Sequence, residues 1–409
     1  MNPPNIHTIG KWADQRIQSR CASADLGYGH VLRVLHHSGA TFKHPLKKSQ
    51  TKAAAKNATV FIVFRSILGA VESGFAPGMI AFLPYWYTRE EVGFRTSVFF
   101  GAIPISGLVG SPLAAALASI KSSLAPYQMI FLVEGAVTFV LGVAAIFILQ
   151  DYPETCTFLT NDEKALVIRK LKADQGLATR AKLSFFSVLK AIFDWRTAVY
   201  CVFHFAFTNV VNSIVIFGPT LMKGLGYDPV TATYLTSIPC AAGVLAIIAS
   251  FYLPKRIPLN LNIFITLLIT TVFLVIMAFG KGKFLRMFAF TCLGIGVYPG
   301  FPMYLSWMST NQGGIGKRLV VTAVVFSVGN VSGAVLPVMF TTNHAPRFIT
   351  GFIFLLACNV LAMILVVVLA LHYKSENRRK EKNPVDVSHM SEDDQQLLYN
   401  EHPQFRYTL

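Results

Sequence analysis

The sequence predicts an all-α membrane protein with about nine transmembrane helices. Three observations predict it: long apolar runs recur along the chain, charged residues are scarce, and basic residues gather in alternate connecting segments. A helix needs ~20 mostly apolar residues to cross the hydrocarbon core of a bilayer. Runs of that kind fall at 58–84, 96–119, 128–149, 197–221, 230–253, 260–280, 284–308, 319–341 and 347–373. They carry many Gly and Pro residues, which bilayer helices tolerate. Charged residues make up 14% of the chain and hydrophobic residues 53%, whereas a soluble domain carries ~25% charged residues.

The segments between these runs differ from one another. Residues 1–57 are strongly basic, with Lys11, Arg16, Arg20, Arg33, Lys43, Lys47, Lys48, Lys52 and Lys56 and no apolar run long enough to span; they read as a disordered arm. Residues 150–196 form the longest loop between spans. Within it TNDEKALVIRKLKAD predicts an amphipathic helix capped by Thr160 or Asn161, with Asp162 and Glu163 in its first turn and Lys170 and Lys172 near its end. Such a helix lies on the membrane surface or packs under the bundle. Residues 374–409 are charged and polar and are expected to be a mobile cytosolic tail.

Basic residues assign the sides, because cytosolic segments between spans are enriched in Lys and Arg. Placing 150–196 in the cytosol puts Arg89, Arg95, Lys255, Arg256, Lys317, Arg318 and the basic tail there too, leaving Lys121, Lys223, Lys281, Lys283, Arg286 and Arg347 outside. The C-terminus is then cytosolic. Nine spans would leave the basic arm outside, and an even number would remove that conflict.

An internal repeat accounts for the parity. Pro77–Arg95 and Pro299–Arg318 each begin Pro-Gly, run through aromatic residues to Trp86 or Trp307, and close on Arg after a polar loop. Each precedes a span with a Ser-Gly pair, Ser106-Gly107 and Ser332-Gly333. Parallel six-span repeats build one large transporter architecture. Three spans precede the second Pro-Gly span and none precedes the first. The expectation is a chain lacking the first three spans of a twelve-span design: a partial N-terminal bundle at 58–149, a cytosolic central loop at 150–196 and a six-helix bundle at 197–373.

Several stretches carry a family resemblance. RSILGAVESGFAPGMIAFLPYWY (65–87) resembles the fourth span of the major facilitator superfamily, most closely its anion:cation symporter branch and the fungal permeases for allantoate, nicotinate and tartrate. IFLVEGAVTFVLGVAAIFILQDYPET (130–155) is similar to the sixth span, FGPTLMKGLGY (217–227) to the end of the seventh, NQGGIGKR (311–318) to the loop before the eleventh, and HPQFRYTL (402–409) to the C-terminal signature. The loop between the second and third family spans has no counterpart here. Tyr127-Gln128-Met129 stands where the branch has Trp-Arg-Trp. The resemblance implies a major facilitator fold and proton-coupled symport of a small organic anion at the plasma membrane. A chain without the first three spans would be inactive in transport.

Ionisable groups inside a bilayer are costly and usually functional. Arg65 and Glu72 are seven residues apart, two helical turns, so they share a face about 10 Å apart. Arg65 stays charged and can grip a carboxylate with two donors, and Glu72 can take up and release a proton. The resemblance implies the same roles, anion binding and proton coupling. The competing reading is a structural ion pair. Asn209 and Asn212 either line a solute cavity or bond neighbouring helices. His204 is a candidate proton relay, and Glu134 reads as structural. Gly74, Pro77 and Gly78 are expected to bend their helix.

Other function classes fare worse. The six cysteines form no CxxC pair, and no GxSxG elbow or metal-ligand spacing supports an enzyme. No cofactor, metal or nucleic acid is expected; the partners are a small organic acid, a proton and the lipid bilayer. The alternatives are a non-transporting membrane sensor, a regulatory partner of a longer paralogue, or a gene whose first exons are wrongly assigned.

Overall fold

The computed structural model describes residues 58–120, 126–148, 152–153, 156, 158–175, 185–252, 257–313, 315–341, 347–383, 390, 399–403 and 405–409. The basic arm expected at 1–57 lies outside the described residues. Among the described residues all regular structure is helical. Nine helical segments there are long and apolar enough to cross a membrane: Ile62–Tyr85, Glu91–Ser119, Pro126–Ala145, Trp195–Val215, Pro229–Ser250, Leu259–Phe279, Lys283–Thr310, Gly316–Met339 and Ile349–Lys382. The expected all-α membrane fold is thus observed.

The described residues divide into two compact units. One lies within Met1–Thr88 and Ser122–Gly176, the other within Arg89–Lys121 and Leu177–Leu409. In the first unit, α1 (Ala58–Glu72) and α2 (Phe75–Phe82) make one crossing, interrupted at Ser73-Gly74 and closed by a 3₁₀ turn at Leu83–Tyr85. The bend has a local cause. Pro77 has no N–H to donate to the Ser73 carbonyl, so the hydrogen-bond ladder opens there. Helix α4 (Pro126–Ile148) has no buried residue among those described and is exposed at Phe139, Val140 and Leu141.

The loop helix predicted from TNDEKALVIRKLKAD is α5 (Asn161–Gln175). Thr160 is its cap and forms a capping box: the Glu163 amide donates to Thr160 Oγ1 (3.4 Å) and the Thr160 amide to Glu163 Oε2 (3.0 Å). Val167 and Leu171 on its buried face pack with Cys156 and Leu159, flanked by Trp86, Phe158 and Leu166. Thr160→Ala is expected to loosen this helix by ~1 kcal/mol. Amide exchange in the first turn of α5 should rise about fivefold while exchange in the second unit stays unchanged.

The second unit holds α3 (Arg89–Ser119), α6 (Phe185–Ile192), α7 (Trp195–Val215), α8 (Gly218–Gly224), α9 (Pro229–Leu235), α10 (Ser237–Tyr252), α11 (Leu259–Phe279), α12 (Lys283–Thr310), α13 (Ile315–Gly329), α14 (Ser332–Met339) and α15 (Ile349–Lys382). Asp194 caps α7 and Asp228 caps α9, each accepting from a backbone amide one turn in (3.0 Å). Proline again marks the interruptions. Pro219 follows the α7–α8 break, and Pro239 cannot donate to the Leu235 carbonyl at the α9–α10 break.

Helix α12 is the centre of this unit, packed on α3, α10 and α11 and buried from Val297 to Thr310 apart from Met303. Hydrophobic burial drives little helix association in lipid, so small residues and interhelical hydrogen bonds do more of it. At Gly294 a Cβ would lie 2.0 Å from the Pro239 carbonyl oxygen, so α10 and α12 touch backbone to backbone there. Asn359 on α15 donates to Thr271 Oγ1 (2.6 Å) and to the Leu267 carbonyl (2.9 Å) of α11.

One expectation needs correction. The tail from Lys374 is packed against the second unit in its described parts. Helix α15 continues to Lys382, and residues 399–403 and 405–409 lie against the bundle, with Asn400, Phe405 and Tyr407 buried. A polar composition suggests solvation, but here Asn, Lys and Tyr side chains pair with backbone groups and with one another.

Candidate solute-binding site

Helix α7 carries a polar row into an aromatic core. Arg196, Tyr200 and His204 follow at four-residue steps and so lie along one side of the helix. Each meets a tyrosine hydroxyl from a different element. Arg196 Nη1 donates to Tyr407 (2.6 Å), Tyr200 pairs with Tyr373 of α15 (2.5 Å), and His204 Nδ1 pairs with Tyr304 of α12. The His204 ring packs on Phe326 (4.2 Å between centroids) and Phe301 (5.6 Å). Gly329 of α13 leaves the room that the imidazole fills.

At the mouth of the row, Asp194 bridges two helices. It accepts from Arg196 Nη2 (2.7 Å) and from Lys317 Nζ of α13 (3.2 Å). Burial works against its ionised form, but the hydrogen bonds from Arg196 and the charges of Arg196 and Lys317 outweigh that and lower its pKa to about 2.

The predicted site residues divide between the units. Arg65 and Glu72 both belong to α1, in the first unit. The Arg65 side chain lies outside the described residues, and Glu72 is exposed. Asn209 and Asn212 lie on α7. Asn209 is fully buried; its Nδ2 donates to the Phe205 carbonyl (2.7 Å), while its Oδ1 has no hydrogen-bond partner among the described residues. Asn212 Nδ2 donates across to Ser332 Oγ of α14 (3.0 Å), a bond between helices. Among the described residues no three His, Cys, Asp or Glu side chains gather as a metal site.

The pattern that defines the Major Facilitator Superfamily matches residues 51–337, more than half of the chain. The chain belongs to the Major Facilitator Superfamily. Members of this family are transporters and not enzymes. Among similar proteins is the major facilitator-type transporter hxnP of Emericella nidulans, 27% identical over 339 residues, covering 81% of this chain and 68% of hxnP. Another is a putative tartrate transporter of Agrobacterium vitis, 26% identical over 326 residues, covering 78% of this chain and 71% of that one. The fold is similar to the proton:xylose symporter XylE, with a TM-score of 0.62 and 12% identity over 84% of this chain and 79% of XylE. It is also similar to the E. coli fucose:proton symporter FucP, with a TM-score of 0.54 and 17% identity over 87% of this chain and 90% of FucP.

Sequence reasoning singled out His204 but missed its partner Tyr304, and it missed the Asp194–Lys317 bridge and the docked tail. Tyr304 lies 100 positions beyond His204 and Lys317 lies 123 beyond Asp194. Pairings at that range leave no periodic trace in a single sequence. The tail did leave a local signal, HPQFRYTL, whose aromatic residues belong in a protein interior more than in solvent.

Proposed function

We propose that this transporter carries a small organic anion together with a proton, with Arg65 binding the anion and Glu72 exchanging the proton, both in the first unit. The observation that carries this reading is the placement of Arg65 and Glu72 two turns apart on α1, within a segment otherwise apolar enough to span. A guanidinium there recognises a carboxylate. A protonatable carboxyl on the same face links anion occupancy to protonation, because the anion's charge offsets the arginine's and leaves the glutamate's negative charge uncompensated until it takes up a proton.

The solute class is suggested by the similarity to a putative tartrate transporter. Tartrate carries hydroxyl groups beside its carboxylates. In the second unit the Oδ1 of buried Asn209, without a partner among the described residues, is an acceptor, which suits a hydroxyl donor and not a second carboxylate. Asn212, one turn along α7, is proposed to support Asn209 there, its bond to Ser332 setting the spacing of α7 and α14. The expected setting is the plasma membrane, with residues 374–409 on the cytosolic side, consistent with the distribution of basic residues.

Proteoliposomes with an inside-alkaline gradient test this. Uptake of labelled tartrate that follows the gradient would support this reading and would overturn the expectation that a chain of nine spans is inactive. Arg65→Ala is expected to lower uptake at least tenfold at subsaturating solute. Glu72→Gln should remove its dependence on the gradient while leaving solute exchange. Gradient-driven uptake unchanged by both substitutions would overturn the assignment.

A further inference from the structure

The segment 399–409 is held by contacts of an unusual kind. Two asparagine side chains each pair with a whole backbone residue of the segment. Asn377 of α15 donates through Nδ2 to the Tyr407 carbonyl and accepts from the Tyr407 amide, both at 2.8 Å. Asn311, which ends α12, does the same for Thr408: its Oδ1 accepts from the Thr408 amide (2.8 Å) and its Nδ2 donates to the Thr408 carbonyl (3.1 Å). Trp307 Nε1 adds a second donor to that carbonyl (2.8 Å), and the Leu259 amide at the start of α11 donates to the Leu409 carbonyl (2.9 Å). Consecutive residues are thus read through their main chain by three helices.

Side chains add identity. Tyr407 stacks on Tyr373 with centroids 4.4 Å apart and accepts from Arg196 of α7. Asn400 is buried and bridges back, donating to the Asn311 carbonyl (2.6 Å) and accepting from the Gly313 amide (2.9 Å). Lys380 Nζ donates to the carbonyls of Asn400, His402 and Phe405 at 2.6, 3.1 and 3.2 Å, so the segment curls round one ammonium group.

We propose that residues 399–409 are a peptide ligand of the second unit, seated in a groove built to receive an irregular backbone, and separable from the chain that carries it. The groove is a peptide-recognition site. Asn311 and Asn377 supply backbone pairing that any residue except proline satisfies, and the Tyr373 ring with Arg196 selects tyrosine at 407. The seated segment ties together the ends of α7, α11, α12 and α15. Its release would free those ends to move separately. This inference is independent of the solute carried.

The test uses the full chain in detergent with a protease site placed within 384–389, in a variant whose uncut thermal unfolding matches the parent. After cleavage the segment is expected to co-elute with the body on size exclusion. A labelled synthetic peptide of residues 399–409 is expected to exchange into the groove saturably. The same peptide with Tyr407→Ala, or with Thr408→Pro to remove the N–H that Asn311 accepts, is expected to bind at least tenfold more weakly; neither change touches the body. In the uncut parent the amides of Tyr407 and Thr408 should exchange at least tenfold more slowly than in the free peptide. Loss of the segment on cleavage, equal binding of all three peptides, or unprotected amides would each overturn the proposal.

Discussion

Gly329→Ala is expected to lower the thermal unfolding midpoint of the solubilised protein by a few degrees, although alanine is the better helix former. A Cβ at 329 would stand 1.9 Å from His204 Cδ2 and 2.7 Å from its Cγ. The imidazole has little freedom to yield. It is 1% exposed, bonded to fully buried Tyr304 and covered by Phe326 and Phe301. Overpacking of this kind costs ~1–3 kcal/mol. The helix gains ~1 kcal/mol when glycine becomes alanine, so overpacking wins by up to about 2 kcal/mol. A double-mutant cycle isolates the cause. In a His204→Ala background the same substitution should be neutral or stabilising. An additive loss in the double variant would show that the clash lies elsewhere.

Asp194→Asn should cost more, about 2–3 kcal/mol. The amide can still accept the cap hydrogen bond of α7, so the loss reports charge and not capping. Removing one partner of a buried ion pair costs ~3–5 kcal/mol, because the other charge stays buried unpaired. Here two cations, Arg196 and Lys317, would face each other across a neutral group. Their side chains are 18% and 13% exposed, and the residual solvent contact brings the figure down.

The same group sets a pH dependence. Its folded pKa lies below its unfolded value, near 2 instead of 3.8. Its stabilisation is therefore complete above about pH 4 and is lost as the pH falls through about 2. Denaturation of parent and variant, compared between about pH 5 and pH 2.5, should show the difference between them shrinking toward acid. A difference that is constant across that range would exclude Asp194 as its source.

How legible these features were depended on their range. The cap of α5 could be narrowed to Thr160 or Asn161 from the sequence because its bonds, between Thr160 and Glu163, are local. The bend near Pro77 was legible for the same reason: a missing N–H acts on the carbonyl four residues earlier. Asn209 and Asn212 looked alike in sequence, three positions apart on one helix. In the structure one bonds its own helix, its oxygen without a partner among the described residues, and the other bonds Ser332. Only the position of α14 distinguishes them. The tail was misread because composition reports average solvation, whereas Asn311, Asn377 and Lys380 satisfy its main chain one group at a time.

The sequence by itself determined that this protein crosses a membrane as helices, about where each helix runs, and to which family of transporters it belongs. Apolar length and missing backbone donors are properties of short stretches, and a bilayer leaves the backbone no alternative but to bond within each stretch. The tertiary structure alone decided which polar groups meet. His204 with Tyr304, Asp194 with Lys317, and the tail with Asn311 are each joined across many intervening residues. Their pairing follows from helix packing, where a glycine or a carbonyl on one element leaves room or a partner for another.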